Sequence, residues 1–355
     1  MKWFRKGPKP IYRQKKFVIP VAIFALLLVA RLIAEPVILK QTNKFLAGFS
    51  PEMSFHIDDL DFRFIRGAYG FTGLTGKLKK TGAEFVNLRD LDVSIAWREL
   101  FKGQIVADVV VDGLDFDYSK GLLDAAKAMK NKGDPREAKE KLIPFKVERV
   151  DIKNSAVTLN DYRGLKEGEK FKVTGITGTM TNLTPTEKFP LSFFNVQASV
   201  MGAATAKSTG HLNLLAKPPK WDVDGELLGF ELTSANQFLK KTVPLTFTKG
   251  KLDVYAEAKS EKGRVEGYIK PFMKNLDVIR SEENFKGVKH WGIEVITALG
   301  NLILRASDTK SVATKIPFSF DGKVNVDSGE AVSKAIQHGF QQKLSPGIEG
   351  RYELE

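Results

Sequence analysis

The feature that most constrains this chain is an apolar run of eighteen residues, Phe17 to Ala34, which carries a single charge at Arg31. At a helical rise of about 1.5 Å per residue, the run nearly matches a hydrocarbon core of about 30 Å. Seven basic residues and no acidic residue precede it, and such a cluster beside a span is held on the cytoplasmic side. The sequence therefore predicts a cytoplasmic segment at 1–16, a transmembrane helix at 17–34 and an exported body.

A cleaved signal peptide is the alternative, because it too has a basic start and an apolar middle. Here the basic segment is long, and the best small-residue cleavage site, ending at Ala34, places Leu32 and Ile33 before the cut. We therefore expect the run to be retained as an anchor.

The absence of cysteine excludes disulfides, thiolate metal sites and cysteine nucleophiles, and it fits a bacterial periplasmic body anchored in the inner membrane. The formal net charge is +13, but the first 16 residues supply seven of these charges and leave about +6 for the rest. The remaining lysines are scattered among acidic residues. We expect no nucleic-acid partner; a diffuse positive surface suits anionic lipid head groups, although an ordinary solvated surface accounts for it as well.

Apolar residues at near-helical spacing continue after the run until Gly48 and Ser50-Pro51. This spacing predicts a helical linker at 35–52, and a short irregular linker is the alternative.

From Met53 the apolar period changes to two. Phe55 and Ile57 are followed by Leu60 and Phe62, so the apolar positions switch from odd to even numbers. In a regular strand the second pair would face the opposite side, whereas a one-residue bulge would return both pairs to one face. We predict a bulged or broken strand between Ile57 and Leu60.

The same arrangement recurs along the chain: two alternating apolar residues, two polar or glycine residues, then an apolar residue, an aspartate and an apolar residue. Copies begin at Phe55, Val86, Val109 and Phe145, and a looser copy begins at Phe171. The repeat predicts long, half-buried antiparallel strands. Because each aspartate lies between apolar neighbours, we expect the aspartates to face solvent on the other side and not to bind metal: Asp61, Asp92, Asp115 and Asp151.

The exported β domain is expected at 53–326, with helical insertions near 119–142 and 285–306. The first insertion is either a lid over an apolar face or a surface excursion, and we favour the excursion. A short helix is expected at 234–241. Residues 327–355 predict a C-terminal amphipathic helix, from 328 to 343, and a tail.

Catalytic and cofactor motifs are missing from the sequence. The four histidines lie far apart without partners at metal spacing, and neither a glycine-rich phosphate loop nor a GxSxG motif occurs. We therefore expect no enzyme activity, no cofactor and no metal site.

Three stretches carry a resemblance to a known family: Pro144–Asp161, Gly263–Phe272 with Leu276 and Val278, and Ile316–Gly322 followed by a helix and Leu344–Ile348. Together with the N-terminal span, they resemble the AsmA-like family of bacterial envelope proteins, in particular members known only as a domain of unknown function. The larger members are similar to bridge-like lipid-transfer proteins. Their long β-sheet grooves are apolar inside and are implicated in phospholipid movement to the outer membrane. This chain is much shorter, and none of its strands would span a periplasm, so the bridge role does not carry over to a monomer.

A sheet with one apolar face must close on itself, pack under helices or hold something apolar. With the resemblance, we expect a mainly β fold with a few helices (α+β), in which long bulged antiparallel strands form a curled sheet or groove. A closed β-sandwich is the alternative. The groove is expected to bind or transfer phospholipid acyl chains, and its candidate lining residues follow from parity within the repeat: Phe55, Ile57, Leu91, Val93, Val109, Val111, Phe116, Val157 and Leu159.

Two other functions stay open. One is a non-enzymatic envelope assembly or scaffolding factor, which would bind a protein partner through an exposed strand edge or the helix at 328–343. The other is a hydrolase whose site is assembled from distant residues.

Overall fold

The computed structural model describes residue 19 and residues 35–63, 67–130, 145–160, 170–183, 191–213, 216, 218–239, 245–280, 311–321 and 344–354. Apart from residue 19, the predicted span at 17–34 lies outside the described residues, as do the predicted helices at 285–306 and 328–343. Within the described part, no helix is both long and apolar enough to cross a bilayer.

Among the described residues, fourteen strands form a single, mainly antiparallel sheet, which confirms the predicted mainly β fold. The strands are β1 (Met53–His56), β2 (Asp59–Arg63), β3 (Ala68–Leu78), β4 (Glu84–Ile95), β5 (Ile105–Tyr118), β6 (Phe145–Asn160), β7 (Lys170–Leu183), β8 (Ser192–Val200), β9 (Ala204–Asn213), β10 (Lys220–Glu231), β11 (Leu245–Glu261), β12 (Arg264–Arg280), β13 (Ser311–Ala313) and β14 (Ile316–Asp321).

The strands follow one another across the sheet nearly in chain order. β1 and β2 lie end to end beside β3 at one edge, and β13 and β14 lie beside β12 at the other edge. In the described part of the chain the two edges do not pair with each other, so the sheet is open. Only the β5–β6 pair among the described strands is parallel, because the segment between them returns the chain to the same end of the sheet. The sequence did not predict this parallel pair.

In the described part of the chain four helices accompany the sheet: α1 (residues 35–48), α2 (Trp97–Leu100), α3 (Lys120–Lys130) and α4 (Leu232–Leu239). α1 lies within the predicted helical linker at 35–52, and α4 overlaps the short helix expected at 234–241. α3 begins after Ser119, whose Oγ accepts the N–H of Leu122 at 3.3 Å and so satisfies a free donor of the first turn.

α3 covers the sheet and is not a surface excursion. Its residues Leu122 and Ala125 are 7% and 8% exposed and pack against Met53, Leu78 and Phe85. The excursion that we favoured from the sequence is therefore wrong. The apolar stripe of α3 buries one end of strands β1, β3, β4 and β5, because those strands present large apolar side chains with no other cover there among the described residues.

The strand predicted to be broken near Ile57 is broken. β1 ends at His56 and β2 begins at Asp59, while β3 passes the gap with Gly73 at a φ of +66°. The pairing register is the same on both sides of the break, since His56 faces Thr75 and Asp59 faces Thr72. The register holds because both strands are irregular at the same level.

This irregularity continues across the neighbouring strands as a line of irregular positions, called here the bulge line. Gly113, Asn154 and Gly175 have φ values of +72°, +48° and +60° in β5, β6 and β7. Beyond the line, β7 has one residue more than β8 between its pairs Thr174–Ser199 and Thr177–Gln197. The extra residue reverses the parity of the side chains, so apolar residues on both sides of the line face one way. The odd-to-even switch of the repeat thus marks a shared bulge.

Two helices bind strands through the same side-chain contact. Asn43 of α1 donates from Nδ2 to the carbonyl of Ile57 and accepts the N–H of Ile57 at Oδ1, both at 2.8 Å. Asn236 of α4 makes the same pair with Phe247, also at 2.8 Å. Both asparagines begin similar sequences, Asn-Lys-Phe-Leu at 43–46 and Asn-Gln-Phe-Leu at 236–239. The asparagine amide thus replaces a neighbouring strand where none pairs.

The segment 344–354 lies on β10, β11 and β12, where buried carboxylates receive its backbone N–H groups. Glu257, which is fully buried, accepts the N–H groups of Gly350 at 2.8 Å and Arg351 at 2.7 Å. It also accepts the N–H of Glu349 and the hydroxyl of Tyr268. Successive N–H groups around one carboxylate form an anion-binding nest, here made by the chain for its own side chain.

The nest also sets the ionisation of Glu257. Burial raises the pKa of this carboxyl group, but the hydrogen bonds from Tyr268 and from three backbone N–H groups outweigh burial, so the pKa is lowered. A second buried carboxylate, Asp222, accepts the N–H of Leu354 at 2.8 Å. Charge is balanced nearby, because Lys270 donates to Glu349 at 3.2 Å. The end of the described chain is therefore held by paired charges and not by apolar contacts alone.

Replacing Asn43 by alanine should leave the N–H and C=O of Ile57 without partners at a buried position. We expect a loss of about 1–3 kcal/mol in the free energy of unfolding, measured by urea unfolding of the detergent-solubilised chain. Lys44→Ala is the control. Lys44 is the next residue of α1 and is exposed, so its replacement should change stability by less than about 0.5 kcal/mol. Equal stability of the two variants would contradict the structural role of Asn43.

Replacing Glu257 by glutamine should remove the charge that three backbone N–H groups share. Since hydrogen bonds to charged groups contribute about 1.5–3 kcal/mol each, we expect a loss of at least about 2 kcal/mol and earlier proteolytic cleavage within 344–354. Glu266→Gln is the matched control, because Glu266 pairs with Lys259 only at 4.0 Å and is 38% exposed. If Glu257→Gln is as stable as Glu266→Gln, Glu257 does not hold segment 344–354 in the way proposed.

Candidate functional site

One face of the sheet, called here the apolar face, carries rows of apolar side chains that cross the strands from edge to edge. It is the face to which Val196 and Val200 of the uninterrupted strand β8 belong. One row passes through eleven strands and consists of Tyr69, Val93, Val109, Val150, Met180, Phe194, Gly210, Val223, Ala258, Gly267 and Phe318. Every position in this row is apolar, a tyrosine ring or glycine.

A second row lies beside the first, nearer the bulge line, and passes through twelve strands. It consists of Leu60, Phe71, Leu91, Val111, Ile152, Gly178, Val196, Ser208, Gly225, Ala256, Ile269 and Ile316. Ser208 is its one polar member. The two rows together give the face a continuous apolar surface.

The structure brings most of the predicted lining residues together on this face. Leu91 pairs with Val111, and Val93 pairs with Val109, in the middle of the two rows. Across the bulge line, a third row runs through Phe55, Gly76, Val86, Phe116 and Val157, and it contains the predicted positions Phe55, Phe116 and Val157. Leu159 pairs with Tyr118 one step further on. All of these predicted positions are half-buried.

Ile57 differs from the other predicted lining residues. It is only 5% exposed and lies in the break between β1 and β2, where Asn43 bonds its backbone. Ile57 is therefore a core residue of the break and is not an open lining position.

Helices cover the apolar face at one end only, as far as the described residues show. α3 packs on one end of β1, β3, β4 and β5, and Ala235 of α4 packs on a second cluster formed by Val200, Ala204 and Phe230. The two long rows lie beyond these helices. Their side chains stay half-buried, and Ile269 is 41% exposed.

Strand backbones crowd together on the apolar face at two glycines of the first row. A Cβ on Gly210 would lie 2.1 Å from the carbonyl oxygen of Asp222, and a Cβ on Gly267 would lie 2.2 Å from that of Glu257. The rings of Phe194 and Phe318 approach the same two points to 3.0 and 2.8 Å. Each aromatic ring thus covers the glycine with which it pairs across the strands.

The opposite face carries the aspartates of the repeat, as their parity predicts, but three of them are half-buried and only Asp115 is exposed. Asp61 and Asp92 bind Arg63 at 2.7 and 3.1 Å, and Asp115 is exposed. Asp151 accepts from Arg149 Nε at 2.8 Å. That guanidinium hydrogen bond lowers the pKa of Asp151. These carboxylates are paired with arginine or exposed to water.

A depression of about 440 Å³ on this opposite face lies between Glu35 of α1 and strands β2 to β5. Its acidic residues Asp90 and Asp112 contact Arg89 at 3.3 and 2.5 Å. Among the described residues, no three histidine, aspartate or glutamate side chains converge as metal ligands would. The depression therefore has the character of an ion-paired surface.

Sequence reasoning missed many residues of the two rows, among them Val150, Ile152, Met180, Phe194 and Val196. Each belongs to an alternating apolar pattern, so the signal was present in β6 to β8. Which alternating strands share one row depends on pairing register, which a pattern within a single strand does not contain.

Comparison with known proteins gives no matching family model and no matching curated protein. Function must be argued from the sheet itself.

Gly210→Ala should destabilise the chain, because the added methyl group would meet the Asp222 carbonyl oxygen. We expect a loss of about 1–3 kcal/mol in the free energy of unfolding, the usual range for overpacking, measured by thermal or urea unfolding. Gly225→Ala is the matched control on the next strand and the same face, since nothing lies within 4 Å of its Cβ position. A control variant that loses as much stability as Gly210→Ala would show that the crowding is not real.

Proposed function

We propose that the apolar face forms a groove that binds phospholipid acyl chains. In this proposal the chain is a non-enzymatic protein of the bacterial envelope, anchored in the inner membrane by residues 17–34 with its body in the periplasm. The observation that carries the proposal is the pair of apolar rows, which cross eleven and twelve strands without a covering layer among the described residues.

The size of this surface favours an apolar ligand. At about 4.8 Å between neighbouring strands, eleven strands extend for roughly 50 Å. Soluble monomers rarely expose contiguous apolar patches larger than a few hundred Å², and larger patches mark binding sites. Each methylene removed from water contributes about 0.8 kcal/mol, so a long acyl chain gains on the order of 10 kcal/mol when it is buried.

The crowding at Gly210 and Gly267 supports a sheet that curls toward its apolar face. Side chains on the inner side of a curved sheet converge, and strongly bent sheets place glycine at the tightest points with aromatic rings over them. A curled sheet would enclose acyl chains better than a flat one, and it would explain why the row residues are half-buried without a second layer.

A protein-scaffolding role has less support in the described residues. The strand edge at Ile57 is bonded by Asn43 of α1, so that part of the edge is not free for a partner strand. The helix at 328–343, the other proposed contact, lies outside the described residues.

The test is crosslinking of the full chain with a phosphatidylethanolamine that carries a photoactivatable diazirine in one acyl chain. The protein is reconstituted in nanodiscs and the crosslinked peptides are identified by mass spectrometry. We expect crosslinks in β4 to β8, in addition to those in residues 17–34. Crosslinks confined to the anchor would overturn the groove.

Val111→Asn and Val110→Asn form a matched pair for this experiment. Both residues are half-buried valines in the middle of β5, but Val111 belongs to the second row and Val110 faces the opposite depression. Val111→Asn should reduce crosslinking in β4 to β8 several-fold, because an amide in the row must lose its hydration when lipid binds. Val110→Asn should leave it unchanged. Equal effects of the two substitutions would argue against a groove on the apolar face.

A further inference from the structure

The short helix α2 exposes large apolar side chains next to one another at one end of the sheet. Phe101, which ends the helix, is 85% exposed, and Trp97 and Leu100 are each 37% exposed. The rings of Trp97 and Phe101 stack with centroids 6.3 Å apart. No other layer of the described chain covers them, so their position is unfavourable in water.

Trp97 is held in place by its surroundings. The main chain of Gly67, at a φ of +64°, passes so close to the indole that a Cβ there would lie 2.7 Å from Trp97 Nε1. The strands on both sides are tied to this corner, because Ile95 N–H donates to the Gly67 carbonyl and Ala96 N–H donates to the Val106 carbonyl, each at 2.8 Å. The aromatic pair therefore lies on a β4–β5 connection that is hydrogen-bonded to the neighbouring strands.

The charges around these rings suit an anionic surface. Arg98 on α2 and Lys102, two residues after the helix, are exposed. The acidic residue Glu99 is bonded to Lys102 at 2.8 Å, and the residues 97–102 carry a net positive charge. Aromatic rings flanked by basic side chains are typical of protein segments that lie in the head-group region of a bilayer.

The start of α1 points to the same end of the sheet. α1 runs antiparallel to β1 and β2, since Ala47 accepts from Lys79 in the β3–β4 turn, Asn43 lies beside Ile57, and Glu35 lines the depression with Arg63. Arg63 is at the end of β2, next to the hairpin that carries α2. Glu35, which directly follows the stretch where the sequence predicts the membrane span, therefore lies at the α2 end of the sheet.

We propose that α2 is a second membrane contact, in which Trp97, Leu100 and Phe101 insert into the interfacial region of the bilayer while Arg98 and Lys102 meet anionic head groups. The contact would fix the orientation of the sheet against the membrane, which a single helical anchor leaves free. This proposal goes beyond lipid binding by the groove and does not depend on it.

The absence of cysteine makes a direct test possible in the full chain. Gln104→Cys places one thiol at an exposed position beside α2, and it is labelled with an environment-sensitive nitrobenzoxadiazole dye. The labelled chain is reconstituted in nanodiscs of phosphatidylcholine and phosphatidylglycerol, with or without nitroxide on the lipid tails. We expect a blue shift and strong quenching by the nitroxide.

Two variants make the result specific. Ile279→Cys carries the same dye near the end of β12, at the end of the sheet away from α2. Ile279 is 61% exposed, and its label should be quenched several-fold less. Phe101→Asp, added to Gln104→Cys, should lower the quenching to the level of the Ile279 label, because it replaces an inserting ring by a charge. The fold should persist, because it does not need an exposed ring. Replacing phosphatidylglycerol by phosphatidylcholine should weaken the quenching of the Gln104 label.

Two outcomes would overturn the proposal. One is a Gln104 label that is quenched no more than the Ile279 label. The other is quenching that Phe101→Asp leaves unchanged, since this would mean that the hairpin is near the bilayer only through the anchor, or that α2 binds a protein. Neither result would bear on acyl-chain crosslinking in β4 to β8, so failure of this proposal and failure of the groove are distinguishable.

Discussion

The main physical constraint on this structure is an apolar surface that extends across the whole sheet and has to be removed from water. In most domains a second layer of helices or strands meets this demand. Here α3 and α4 cover only one end. No other helix or strand layer of the described chain covers the two long rows. Rows of this length are consistent with a face that is completed by something other than the described chain, and the proposed function takes that partner to be lipid.

The two faces of the sheet are completed in opposite ways. On the face opposite the rows, the chain satisfies its own polar groups, because segment 344–354 brings a series of N–H groups to Glu257 and Asp222. Buried carboxylates without such partners would destabilise the fold strongly. The segment therefore closes the face on which a charge would otherwise be buried alone, and it leaves the apolar face free.

The local patterns of the sequence predicted much of the fold, and its long-range pairings did not follow from them. The alternating residues of the repeat predicted long strands, and the parity switch after Ile57 predicted the break, because both are properties of one strand. That Gly73, Gly113 and Asn154 would lie on one line depended on register between strands. The parallel β5–β6 pair, the covering role of α3 and the nest around Glu257 join residues far apart in the chain, so no local pattern contained them. The candidate lining residues were placed by parity alone, which identified the face but not the core position of Ile57.

The same arrangement gives the sheet two unlike ends. At one end α3 and α4 close off the apolar face. At the other end no described helix covers the rows, and α2 presents exposed rings on the hairpin between β4 and β5. If acyl chains occupy the rows, the closed end is a poor entrance, because a lipid would have to displace packed residues such as Leu122 and Ala235. The α2 end requires no such displacement. A groove that opens where the exposed rings lie would let a lipid pass from a bilayer to the rows without exposing its chains to water, which is the step that hydration otherwise opposes most strongly.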